Sequence, residues 1–119
     1  MVHSSLRSIG SVEAGAAMAV DALLEALGPD GTLVVPTFTD EIASRYNGFV
    51  FDIVNTPSYV GAITEAARIR TGARRSHHPW HSVAAIGPLA ESLTSDEVVS
   101  AWWPGSPMSQ VVDKGGMVL

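Results

Sequence analysis

The chain has 119 residues, enough for one domain and too few for two at the roughly 100 to 200 residues usual per domain. Hydrophobic residues make up 46% and charged residues 16%, a balance that excludes a disordered chain and predicts a packed core. The lack of cysteine excludes a disulfide framework, a thiolate zinc site and a cysteine nucleophile together, and the net charge of -5 argues against a nonspecific nucleic-acid binder. No apolar run approaches the roughly 20 residues of a membrane span, and the N-terminus lacks a basic-then-apolar leader pattern. A cytoplasmic location is expected, with neither membrane nor nucleic acid as partner.

Met1-Val2-His3, followed by Ser4-Ser5 and a glycine-containing turn, reads as the carboxyl end of a strand. A helix is predicted from near Ser11, whose hydroxyl would cap it while Glu13 meets the positive end of the helix dipole. Val20, Leu23, Leu24 and Leu27 recur at the helical period, and Gly28 with Pro29 stops the helix. Thr32-Leu33-Val34-Val35 is an unbroken β-rich run of the kind found in sheets covered on both faces. Pro36 ends it, which puts Thr37-Phe38-Thr39 at a strand's carboxyl end, where ligands bind in open α/β sheets.

Asp40 to Asn55 has no period, and an irregular stretch of that length points to a functional loop. Thr56-Pro57 has the form of a capped helix start, with Tyr59, Ile63, Ala66 and Ala67 toward the core and Gly72 at the end. Ser82 to Ile86 reads as a second buried strand, and Leu89 to Leu93 and Asp96 to Trp102 as short helices. Ser106-Pro107 opens a helix carrying Met108, Val111 and Val112, and Gly115 to Leu119 reads as the start of another strand. The predicted fold class is α/β, a layered sheet with flanking helices, incomplete at both chain ends.

The stretch Arg74-Arg75-Ser76-His77-His78-Pro79-Trp80-His81-Ser82, with Arg68 and Arg70 upstream, concentrates the positive charge and the imidazoles of an acidic chain. Guanidinium forks beside a serine hydroxyl suit a phosphate-bearing ligand, and a solvated turn whose arginines pair with carboxylates is the alternative. A metal site is not expected. His77 and His81 have i, i+4 spacing, but Pro79 forbids the regular turn that would bring them to one face. His3-Ser4-Ser5 is either an ordinary capping turn or a set of donors for a phosphate or pantetheine amide. Asp40, Glu41 and Asp52 form a loose acidic group, suited to substrate ammonium groups or simply to solubility. Trp102-Trp103 is a core anchor or an apolar ligand wall.

In the same order along the chain, His3-Ser4-Ser5-Leu6, the run from Ala22 to Thr37, Phe51-Asp52 with Thr56-Pro57, Arg75-Ser76-His77-His78-Pro79 with Ser82, and Ser106-Pro107 resemble the aminoglycoside 3-N-acetyltransferase family. The resemblance covers essentially the whole chain. It implies transfer of an acetyl group from acetyl-coenzyme A to an amine of an aminoglycoside antibiotic, which inactivates the drug. It also implies that Ser4, Ser5, Thr37, Arg75 and Ser76 lie around the coenzyme and that Asp40 sits near an acidic position facing the aminoglycoside. For the chemistry, Asp40, Glu41 and Asp52 are the carboxylates available to receive the sugar's ammonium groups.

Two departures accompany the match. Ile53 stands where a proline usually follows Phe-Asp. Family members are roughly twice this long, in keeping with domain-size ranges, with a strand before the His-Ser-Ser turn and a carboxyl-terminal portion holding a histidine thought to be the general base. Residues 1–119 are therefore expected to form a partial domain of such an enzyme, needing further residues for full activity. His78, with a reference pKa of about 6.5, is the imidazole candidate for the chemistry within the chain, in a positioning role. The rival readings are a noncatalytic remnant that keeps coenzyme affinity and an unrelated α/β interaction module. The sequence leaves the oligomeric state and the particular aminoglycoside open.

Overall fold

Leu33-Val34-Val35-Pro36 and Val83-Ala84-Ala85-Ile86 are apolar on both faces, so a strand made from either must be covered twice. The computed structural model, which describes residues 1–39, 48–95 and 100–119, covers them in this way. The elements are α1 (Leu6–Ile9), α2 (Gly15–Leu27), β1 (Leu33–Pro36), α3 (Ala62–Arg68), β2 (Arg74–Arg75), β3 (Val83–Ile86), α4 (Ala90–Leu93) and α5 (Pro107–Asp113). β3 is central. β1 pairs antiparallel on one side of it, from Leu33 opposite Ile86 to Pro36 opposite Val83, and β2 pairs antiparallel on the other.

Strand side chains alternate between faces, and the core divides accordingly. Leu33, Val35 and Ala84 pack with Val20 of α2 and with Ile63 and Ala67 of α3. Val34, Val83 and Ala85 pack on the opposite face with Ala90 and Leu93 of α4 and Val111 of α5. Each fully buried aliphatic side chain contributes roughly 1.5 to 3 kcal/mol, so these two layers carry most of the stabilisation. At the end of β3, Gly87 has φ +127°, and a Cβ there would lie 2.3 Å from Gly31 O. Only glycine lets the chain turn this close to residues 31 and 32.

The chain ends hydrogen-bond beside β1 and to each other: Val2 N–H donates to Val34 O (2.8 Å), His3 N–H to Leu119 O (2.8 Å) and Leu119 N–H to Met1 O (2.9 Å). Beyond the β1–β3 pairing the ladder continues from Thr37 N–H to Ser82 O (2.8 Å) and from Thr39 N–H to Trp80 O (3.1 Å), which sets the direction of the histidine loop. Because the sheet is antiparallel, the rule that placed ligands at the carboxyl end of β1 has no purchase here. The relevance of Thr37 rests on what it touches. Among the described residues, no helix is long and apolar enough to cross a membrane.

Several local expectations are revised. α2 begins at Gly15 after Ala14 in the left-handed region, and Ser11 does not cap it. The helix expected to open at Thr56-Pro57 begins instead at Ala62, because the Thr56 hydroxyl is occupied as an acceptor for Asp52 N–H (2.9 Å). Tyr59 is consequently exposed, whereas Ile63 and Ala67 are buried as their spacing predicts. Trp102 and Trp103 are 66% and 69% exposed, so they do not anchor the core. The helix expected over Asp96 to Trp102 falls mainly on residues 96–99, outside the described residues. Ser106 does cap α5, accepting from Ser109 N–H, with Pro107 in the first turn.

Candidate functional site

β2 is only two residues long, and its second residue turns its side chain inward. Arg75 is 8% exposed. Its Nε donates to Thr37 Oγ1 (3.2 Å) and Ser82 Oγ (3.0 Å), one terminal nitrogen to Thr37 O (2.8 Å) and the other to Thr56 O. The guanidinium carbon lies 4.9 Å from the centre of the Phe51 ring. Thr37 and Ser82 are fully buried and hydrogen-bond to each other through their hydroxyls at 3.0 Å. Burial pushes the Arg75 pKa down to about 10, with Arg68 adding to the effect, yet the group stays charged at neutral pH. Carbonyl oxygens, hydroxyls and an aromatic face solvate this cation.

Two turns meet at this knot, one on each side. In the first, Asp52 Oδ1 accepts from Val54 N–H (2.8 Å) and Asn55 N–H (2.9 Å), and Oδ2 accepts from the Asn55 amide (2.8 Å). The Asn55 side chain and then the two backbone donors hold the Asp52 carboxyl below the usual range. In the second, His78 Nδ1 accepts from Trp80 N–H (3.2 Å) and His81 N–H (2.9 Å). Partial burial, and then the neighbouring His81, lower the His78 pKa. The residues preceding the two turns touch: the Phe51 and His77 rings are 5.9 Å apart. Around His78 the rings of His81 (5.3 Å) and Trp80 (6.3 Å) close in, and His81 also meets Phe38 (5.2 Å) and Trp102 (5.9 Å).

Two clefts open at opposite ends of α3, whose seven residues span about 10 Å at 1.5 Å each. One, of about 560 Å³, is lined by Ile53 to Asn55 and by Arg68, Arg74 and Arg75. Arg68 is held by Glu65 through two bonds (2.8 and 2.7 Å), whereas Arg74 is more exposed and stands 3.9 Å from Glu91. The other, of about 300 Å³, is lined by Ser4, Ser5, Leu6, Arg7 and Val60 to Ala62. Among the described residues, Ser4 Oγ is a buried side-chain oxygen without a hydrogen-bond partner.

The residues predicted for the site therefore fall into groups. Thr37, Arg75 and Ser76 are brought together in the interior, where Ser76 Oγ accepts from Val83 N–H at 3.0 Å. Ser4 and Ser5 share a cleft that Arg75 does not line. Asp52 and His78 flank the knot, and Asp40 and Glu41 lie outside the described residues. Sequence reasoning did not single out Ser82, Thr56 or Phe51 as partners of Arg75. The pairing of a Pro-Thr strand end with Arg-Ser six residues before a second serine was the available signal for Ser82.

The family described as Aminoglycoside 3-N-acetyltransferase matches residues 1–119, and the chain belongs to that family. An aminoglycoside N(3)-acetyltransferase III from Serratia marcescens is 36% identical over 135 residues, covering the whole of this chain and 50% of the relative. A solved structure of AAC-IIIb in binary complex with CoASH has a TM-score of 0.86 at 27% identity, covering 99% of this chain and 50% of that one. AAC-VIa bound to sisomicin has the same TM-score at 35% identity and covers the same shares. The chain thus spans about half the length of the curated relatives it matches.

Proposed function

We propose that residues 1–119 form part of an acetyltransferase domain and supply its coenzyme side, for transfer of an acetyl group from acetyl-coenzyme A to an aminoglycoside amine. The observation that carries this reading is the similarity of nearly the whole chain to a CoASH-bound acetyltransferase. In the reaction, the amine nitrogen attacks the thioester carbonyl carbon and the C–S bond breaks. Coenzyme A leaves as the thiolate, and a base passes the nitrogen's proton on to it.

The residues of the chain suit parts of this task. The cleft at Arg68, Arg74 and Arg75 fits phosphate oxygens, with exposed Arg74 the most available fork. Ser4 and Ser5, at the other end of α3, offer hydroxyl and backbone donors within reach of an extended coenzyme. Thr37, Arg75 and Ser76 serve the coenzyme by fixing the loop that faces it. Asp52 keeps its charge and suits a sugar ammonium group, a role also proposed for Asp40 and Glu41.

Calorimetry of the folded chain with acetyl-coenzyme A tests the reading, followed by assay of thiol release with sisomicin. Binding is expected, and Arg74→Ala should weaken it by about 1.5 kcal/mol if it loses a charge-assisted contact. A folded chain that binds neither acetyl-coenzyme A nor coenzyme A would overturn it.

A further inference from the structure

We propose that the loop of residues 77–82 locks His78 as a neutral imidazole with its proton on Nε2. Within the acetyl-transfer reading, on which this role rests, the ring then donates a hydrogen bond to an oxygen of the acyl ligand and takes no proton from the amine. Nδ1 receives two backbone N–H groups, from Trp80 at 3.2 Å and His81 at 2.9 Å. A ring nitrogen that accepts carries no hydrogen, and the single proton of a neutral imidazole must then sit on Nε2.

A second proton could go only onto Nδ1, where it would face both N–H groups and abolish both bonds. Pro79 contributes a fixed φ to the stretch of backbone that aims those donors. The surroundings act in the same direction: partial burial disfavours the imidazolium, and the facing His81 ring, 5.3 Å away, adds to this. A ring held this way is a poor general base. It is a ready donor to a thioester carbonyl and to the oxyanion that follows attack. No proton leaves His78 in that step, so the amine's proton goes to another group.

Long-range proton–nitrogen correlation spectra of the full chain read the tautomer with or without ligand. The expected result is a pyridine-type Nδ1 and a pyrrole-type Nε2; a pyrrole-type Nδ1 overturns the proposal. Two variants then separate the two sides of the ring. His78→Asn keeps an acceptor for the turn and lacks the Nε2–H, so it should melt like the wild type yet bind acetyl-coenzyme A about tenfold more weakly. His78→Gln places an amide donor where Nε2–H stood, and should recover affinity while losing thermal stability. Wild-type affinity in His78→Asn would overturn the donor role. A wild-type chain that binds no acetyl-coenzyme A would remove the coenzyme reading, and the spectra would still decide the tautomer.

Discussion

At Asp52 a carboxylate oxygen gathers the N–H groups two and three residues ahead; at His78 a ring nitrogen gathers the same two. The backbone geometry is shared and the leftover chemistry is opposite. The carboxylate has a second oxygen and a negative charge to spare, whereas the imidazole has spent its acceptor and is left with a donor. On the proposed reading, the Asp52 side of the knot suits an ammonium group and the His78 side suits an acyl oxygen. Arg75 stands between them, bound to Thr56 O behind the first turn and to Ser82 and Thr37 beside the second.

The largest expected effect comes from removing what the turns share. Arg75→Ala takes a charge-assisted donor from Thr37 O, from the buried Thr37 and Ser82 hydroxyls and from the partly buried Thr56 O, and should cost about 3 kcal/mol or more in urea unfolding. A loss below about 1 kcal/mol would mean that the turns are held independently. Ser82→Ala removes one buried hydroxyl from the knot and should cost about 1 to 2 kcal/mol by the same measurement. His78→Ala undoes one clasp and should cost about 1 kcal/mol, the usual worth of a side-chain cap.

Acid separates the two clasps. Both groups have a lower pKa folded than unfolded, so the unfolded chain binds more protons and stability falls as pH falls. The His78 contribution is fully present above 6.5 and is lost as pH drops through its lowered folded pKa. The Asp52 contribution is present above 3.8 and is lost below that, toward its own lowered value. Melting temperature followed from neutral to acid pH should show both declines, and His78→Asn should erase only the first. The smallest effect is a gain. Ile53→Pro would give the Asp52 turn the proline that already follows His78, and should add about 0.4 to 1 kcal/mol of thermal stability.

The two main strands, the stop at Gly28 and the Ser106-Pro107 start could be read directly from residues, because each depends on neighbours in the chain. Ile63 and Ala67 were legible for the same reason, through helical spacing. The inward turn of Arg75 was not. Arginine is ordinarily a surface residue, and nothing local announces that Thr37, 38 positions away, will supply its acceptors. Likewise Thr56 looked like a helix cap because its competing use, holding Asp52 N–H, depends on how the preceding loop folds. Tertiary demand on a side chain outranked its local preference at both places.

A single guanidinium ties residues near 56 to residues near 82, so the two distant loops should open as one cooperative unit. Their amides should therefore exchange with solvent together, even though some twenty-five residues separate them in the chain. A small molecule that orders either loop would then order the other at reduced entropic cost.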